Sequence, residues 1–315
     1  MRAITLGVHV VDVLVRPVTE IPAGQGGQLV DSIRITAAGP AGGTALTLAK
    51  LGAEVRSAGA IGTDALGDVL VDLLTRAHVD PALLVRRADV QTSASVLPIR
   101  HDGSRPAFHV VGANATYTAA DAPWDAIAAA THLHLGAPEF MGGEQGAQIL
   151  SFAREHGVTT SADILAPGDQ AAAILDWIAP VFAHLDYLLP NDEQVLGLTG
   201  ADELGAGCSA LRDRGVGCVA ATRGAEGALI VDADGERSVP AFAVDVVDTT
   251  GCGDAFSAGF LRGLALGRDR VQAATLGCAC AALVATGLGS DHGTFDLAAA
   301  DAFATQTPIR STVPS

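Results

Sequence analysis

Short apolar runs of strand character alternate with longer helical stretches along the whole chain, and this alternation limits the possible folds more than any other feature. Strand-like runs fall at Ala3–Gly7, Val55–Ala60, His132–Leu135, Val158–Ala162, Tyr187–Leu189, Cys218–Thr222 and Ala228–Val231. Helical stretches fall at Gly42–Leu51, Ala65–Arg76, Gly143–His156, Asp202–Arg214, Cys252–Leu266 and Arg270–Thr286. A parallel strand pair needs a long crossover, usually a helix, so this order predicts an α/β fold with a mostly parallel sheet covered on both faces. Two stretches depart from it. Val10–Thr36 carries Val11, Val13 and Val15 at period two, passes through a Pro- and Gly-rich turn and resumes at Leu29. Thr92–Val111 is strand-like about a turn at His101-Asp102-Gly103-Ser104. Read as hairpins, they predict a small β-sheet lid, about 10–36 and 92–111, on a single domain spanning 1–315.

Composition narrows the partners. The chain is 49% hydrophobic and only 17% charged, which suits close-packed helices on a buried sheet rather than disorder. Nineteen Lys plus Arg against 35 Asp plus Glu give a formal charge of −16. Such a surface repels nucleic acid and anionic membrane, and neither is expected as a partner. It does not exclude nucleotide, because backbone N–H groups can hold phosphate. The single lysine, Lys50, is followed by Leu51, so the chain has no GxxxxGK[ST] loop. The five cysteines, Cys208, Cys218, Cys252, Cys278 and Cys280, lack zinc-site spacing and read as free thiols of a reducing cytoplasm. The N-terminus shows no apolar targeting segment, and a soluble cytoplasmic protein is expected.

One segment carries chemistry. Asp248-Thr249-Thr250-Gly251-Cys252-Gly253-Asp254 runs into a helix with Phe256, Phe260 and Leu264 at spacing four. Glycines at a helix start let a phosphate approach unpaired N–H groups at the positive end of the helix dipole. A carboxylate in that first turn, Asp254, can reach a hydroxyl held beside the phosphate. A plain Gly-rich helix start with a dipole-favoured Asp fits the same residues.

The full string resembles the D-T-x-G-A-G-D signature of the ribokinase-like (PfkB) carbohydrate kinases, with Cys252 in place of Ala. Ala38-Gly39-Pro40-Ala41-Gly42-Gly43-Thr44-Ala45, running on to Leu51-Gly52, resembles their glycine-rich N-terminal signature, and Ile61-Gly62-Thr63-Asp64-Ala65-Leu66-Gly67 continues it. Thr222-Arg223-Gly224-Ala225-Glu226-Gly227 is similar to their T-x-G-x-x-G segment, and Leu189-Pro190-Asn191 to their P-N-x-x-E segment. The resemblance runs from about Leu6 to about Gly289. It implies a ribokinase-like three-layer fold and an ATP- and Mg²⁺-dependent kinase. Asp254 would be the catalytic base, and Gly251, Cys252 and Gly253 an N–H nest for the transferred phosphoryl group. Asp12, Gly39, Gly42 and Gly43 would bind a small sugar-like substrate. Asn191, Thr222, Gly224, Gly227 and Cys278 would bind nucleotide. Asp248, Thr250 and Gly289 resemble a K⁺ loop of some members. In several members the lids of two subunits clasp, which implies a homodimer.

Each position also admits a simpler reading. Asn191 can be an N-cap, Gly224 and Gly227 a hairpin turn, and Asp248 a turn-capping carboxylate. His9 and His109 are candidates to face the substrate, while His132 and His134 read as structural. Three positions depart from the family pattern. Gly43 stands where many members have a substrate-binding Asn, Gln194 stands at the usual Glu, and Cys278 stands where an Asn often flanks adenine. With 4% aromatics and Phe108 alone in the lid stretches, a sugar is preferred over a nucleoside, whose base would stack on aromatics. Pro40 occupies a position where phosphosugar kinases often carry Lys, which disfavours a phosphosugar. A non-catalytic sugar- or nucleotide-binding regulator is the alternative from another class.

Overall fold

Strand β1 (Arg2–Gly7) buries every residue after Arg2, as a strand covered on both faces must. In the computed structural model, which describes residues 1–101, 103–165 and 171–310, it lies inside a nine-stranded sheet. The chain continues through β2 (Val10–Arg16), β3 (Ser32–Ala38), α1 (Pro40–Lys50), β4 (Glu54–Gly62), α2 (Ala65–Arg76) and β5 (Val79–Arg87). Then come β6 (Ala94–Pro98), β7 (Phe108–Val110), α3 (Trp124–Ala129), β8 (His132–Gly136), α4 (Gly143–Glu155), β9 (Thr159–Asp163), α5 (Ala171–Phe182) and β10 (Tyr187–Leu188). The last part holds α6 (Asp192–Thr199), α7 (Leu204–Asp213), β11 (Cys218–Thr222), β12 (Ala228–Asp232), β13 (Gly235–Val239), α8 (Cys252–Ala265), α9 (Arg270–Ala285) and α10 (Leu297–Gln306).

The large sheet has the order β13-β12-β11-β10-β9-β8-β1-β4-β5. Its pairs are parallel from β11 through β5, and the β11–β12 and β12–β13 pairs are antiparallel. Strand β1 sits between β8 and β4, so the chain leaves it in one direction first and in the other later. The carboxyl ends of β1 and β8 therefore flank a topological switch point, where open α/β sheets form their ligand crevice. Helices α8 and α9 owe their close contact to small residues. A Cβ on Gly259 would lie 2.7 Å from the Gly277 Cα, and one on Gly263 2.8 Å from the Ala273 Cα. The Ala- and Gly-rich composition is used here, to bring two backbones together above the sheet.

The two expected excursions form a separate four-stranded sheet of order β3-β2-β6-β7. Strands β2 and β3 pair antiparallel, as do β6 and β7, while β2 and β6 run parallel. Asp12 and Leu14, on one face, are buried beneath it, whereas on the other face Ile33 is 66% and Phe108 60% exposed. The sheet is thus a lid with a covered inner face and an apolar outer one.

The element boundaries expected from sequence hold within a residue or two, with a few differences. Helix α7 begins at Leu204 rather than Asp202, with Glu203 at the N-cap. Helix α5 contains Pro180, which reads as a break. Helix α6 has only eight residues, too short for a periodic signal, and α10 lies beyond the motifs. Strands β5 and β13 are sheet edges, and β5 carries Pro81 and polar residues that edge strands tolerate. In the lid turn, Gly103 N–H donates to Arg100 O at 3.0 Å, while Asp102 lies outside the described residues.

Candidate active site

The turn before α8 is held by one buried carboxylate. Asp248 Oδ1 accepts from the Thr250 N–H (3.0 Å) and hydroxyl (2.7 Å), and Oδ2 accepts from Gly289 N–H (3.0 Å). The predicted trio Asp248, Thr250 and Gly289 is therefore brought together, with the carboxylate acting as a turn organiser. The same loop carries an internal ammonium, because Lys50 Nζ donates to the carbonyls of Asp291 and His292, both at 2.8 Å. Among the described residues no group of three or more His, Cys, Asp or Glu is placed to hold a metal ion.

Gly251 passes this turn at φ 77°, and a Cβ there would lie 2.5 Å from the Ser290 Cα. Only glycine can take that conformation in that space. Cys252 N–H then donates to Thr249 O (3.3 Å) and Ala255 N–H to Gly251 O (2.9 Å). Between them, the amides of Gly253 and Asp254 have no recorded acceptor among the described residues. They are the free first-turn donors of α8, at the positive end of its dipole. Gly253 is exposed, and a Cβ on it would meet nothing within 4 Å. Its backbone angle lies outside the left-handed region, so Gly253 is needed for open space and Gly251 for conformation.

Asp254 faces α1. A Cβ on Gly43 would lie 2.0 Å from Asp254 Oδ2, so the missing side chain of Gly43 makes room for that carboxylate. Gly43, expected to open the backbone to substrate, thus lies directly against the Asp254 carboxylate. Thr44 Oγ1 donates to Asp254 O at 3.4 Å, a second tie between α1 and α8. Gly39 caps α1, and Gly42 packs over His9, whose Cδ2 would lie 3.4 Å from a Gly42 Cβ. His9 is fully buried, with Nδ1 3.0 Å from Gly7 O, and burial pushes its pKa down to about 4. It is a neutral core group rather than a ring facing substrate. His109 pairs with Ser95 Oγ at 3.0 Å on the lid, and His134 with Ser161 Oγ at 3.0 Å.

The carboxylates act on one another. Burial, and then the negative charge of Asp12, push Asp254 up to about 7, while Arg105 pulls it down. Asp12 is pushed up to about 6, first by burial, against a hydrogen bond from Ser95 and the charge of Arg105. In both, loss of solvent disfavours the charged form and a like charge adds to it.

On the other side of α8 a cleft of about 280 Å³ joins Thr222, Gly224 and Gly227 to Cys252, Gly253 and Cys278. Phe242, Val244 and Ala282 give it apolar walls. Gly227, at φ 91°, lets the hairpin fold flat, since a Cβ would lie 2.0 Å from Val239 O. Asn191 bridges Thr222 backbone to backbone but does not line the cleft. Its side chain accepts from Gln194 N–H (2.8 Å) while Gln194 Oε1 accepts from Asn191 N–H (2.8 Å), a capping box at the start of α6. The Gln at the usual Glu position is explained by that local role.

Sequence reasoning missed three charged residues. Glu139 follows the end of β8; Leu165 N–H donates to its Oε1, Oε2 is buried without a partner, and burial pushes it up to about 7. Asp163 ends β9 and is raised well above its ordinary value, first by burial and then by the charge of Asp254. Their signal was available, since acidic residues at the carboxyl ends of parallel strands point at the crevice. Arg105, in the lid turn, had no comparable signal.

The family model described as pfkB family carbohydrate kinase matches residues 7–295. The ATP-dependent ribose-1-phosphate kinase of Halopiger xanaduensis is 30% identical over 274 residues, covering 87% of this chain and 88% of its own. The ribokinase of Staphylococcus aureus is 22% identical over 238 residues, covering 72% and 74%. The structure of Arabidopsis thaliana ribokinase complexed with ribose and ATP is similar with a TM-score of 0.81 at 20% identity, covering 96% of this chain and 98% of that one.

Proposed function

This chain belongs to the pfkB family of carbohydrate kinases, and from that premise we propose that it transfers the γ-phosphoryl group of ATP to a hydroxyl of a small sugar-like acceptor. The observation that carries the reading is the position of Asp254. Its carboxylate stands beside two free amides, between an apolar cleft on one side and the lid residue Asp12 on the other.

In this reading the base of ATP lies against Phe242, Val244 and Cys278, and its phosphates pass Gly224 and Gly227 toward Gly253. The amides of Gly253 and Asp254 hydrogen-bond the phosphoryl oxygens as charge develops on them. Asp12 accepts hydrogen bonds from acceptor hydroxyls and fixes which one faces Asp254. Asp254 takes that hydroxyl's proton as the new O–P bond forms and the bond to ADP breaks. General-base help of this kind is worth roughly 10²–10⁴ in rate. Mg²⁺ fits as a companion of the nucleotide that neutralises phosphate charge and keeps several of its waters, as this ion usually does. Potassium is not part of the proposal. No helix among the described residues is long and apolar enough to cross a membrane, and five free thiols support a cytoplasmic setting.

The preferred acceptor is an unphosphorylated sugar. A phosphosugar is the second reading, favoured by the 30% identical relative named for ribose 1-phosphate. ADP release over a panel of pentoses, hexoses, ribose 1-phosphate and nucleosides, with ATP and Mg²⁺, decides among them. Turnover is expected with a free sugar. Preference for nucleosides or ribose 1-phosphate would replace the acceptor, and binding without turnover on any member would favour a regulator.

A further inference from the structure

The lid delivers one cation to the reacting centre. Arg105 follows the turn in which Arg100 N–H donates to Ser104 O at 2.9 Å. Its Nε lies 3.8 Å from Asp248 Oδ1, although the Asp248 side chain is 0% exposed and the arginine 35%. The guanidinium therefore reaches from the lid into the floor of the site. Its charge also acts on Asp12, Cys252 and Asp254, which stand on β2 and in the first turn of α8. The guanidinium thus lies at the turn leading into α8, where its charge reaches Asp12 on β2 and Cys252 and Asp254 in the first turn of that helix.

Asp248 is not the natural destination of this arginine. Three closer donors already serve that carboxylate, and 3.8 Å is beyond hydrogen-bond distance. The single lysine is engaged elsewhere, Lys50 donating to the carbonyls of Asp291 and His292.

We propose that Arg105 is a catalytic residue of the lid, whose guanidinium moves onto the oxygens of the phosphoryl group as it passes from nucleotide to acceptor. This rests on the kinase reading above. The transferred group spreads its charge over three oxygens, and a planar fork of N–H donors matches two of them at once. Buried carboxylates on three sides would repel that group, and one cation among them offsets the repulsion. Because the cation sits on the lid, its full effect comes only when the lid is closed, so closure and chemistry are linked. Before nucleotide binds, the same charge helps keep Asp12 and Asp254 ionised.

The test compares wild type with Arg105→Gln and Arg105→Lys. Turnover is measured on an acceptor that wild type uses, and binding of ADP–Mg²⁺ with and without fluoroaluminate, a mimic of the phosphoryl group in flight. Removing a cation of this kind costs about 10³-fold in kcat at the least in related phosphoryl transfers. Arg105→Gln is expected to lose about 10³-fold or more in kcat, with both KM values within about threefold. Its affinity for the fluoroaluminate complex should fall while ADP alone binds unchanged, and Arg105→Lys should lie between. A kcat within about threefold of wild type overturns the proposal, as does equal binding of the fluoroaluminate complex. A loss confined to acceptor KM also overturns it and assigns Arg105 to an anionic group of the acceptor. If wild type turns over no acceptor, the kinase reading fails, and the fluoroaluminate comparison still judges Arg105.

Discussion

At the scale of single residues, the site works by setting carboxylates against one another. Asp254 is held up at about 7 by burial and by Asp12, so the base of the proposed reaction is only partly ionised near neutrality. Asp254→Asn should fold normally and lose about 10²-fold or more in kcat, because the base acts on the transition state. Thermal melting and steady-state kinetics on the same preparation check both halves, and activity within about threefold of wild type refutes the assignment. The pH dependence follows from the sign of the shift. A base must be deprotonated, so kcat/KM should rise with pH through about 7 and level off above it. Asp12→Asn removes a charge that raises Asp254, so its acid limb should move to lower pH even as the acceptor KM rises. An unmoved limb would mean that the two carboxylates do not interact.

At the scale of elements, two glycines two positions apart do different things. Gly251 is fixed by its positive φ and by Ser290, and Gly253 by nothing except the space in front of it. Gly253→Val should therefore keep the melting temperature, because no neighbour is crowded, while its isopropyl group covers the amides where phosphate would lie. Turnover should fall far more than acceptor affinity, measured by titration calorimetry beside the activity assay. Full turnover in this variant would show that the first turn of α8 does not receive the phosphoryl group. The contrast with Gly43 is instructive: a side chain there would meet Asp254 within 2.0 Å, so α1 and α8 are matched by what α1 omits.

At the scale of the whole molecule, the lid has an outer face of which Ile33, Ile35, Val96 and Phe108 stay exposed. Val13 pairs with Ile35 on one side and Val96 on the other, and Val96 pairs with Phe108, so an apolar row crosses all four strands. Ile33, Leu29 and Phe108 are 66%, 100% and 60% exposed. Contiguous apolar surface of this kind marks an interaction site, and a sheet this small gains from a second layer. We propose a homodimer in which two lids pack face to face. Sedimentation at tens of micromolar should give a dimer, and Ile33→Asp or Val13→Asp should give a monomer. A dimer indifferent to both substitutions places the interface elsewhere, and a wild-type monomer removes it.

The sequence by itself determined the layers and the reacting loop. The order of strands and helices requires crossovers, and a glycine pair at the start of α8 with an Asp in its first turn needs only local chain geometry to be read. Thr222, Gly224, Gly227 and Cys278 were likewise legible, and the fold brings them to one cleft with Gly253. Tertiary structure decided whatever depends on approach between distant segments. Nothing near residue 43 says that Asp254, 211 positions away, fills its missing side chain. Nothing near His9 shows that it lies under Gly42 and Gly59, whereas the capping role of Asn191 was already legible as a local alternative. Glu139, Asp163 and Arg105 carry no motif. They matter because two strand ends and a lid turn point at one crevice, and the charge each group feels is set by neighbours that only the folded chain supplies.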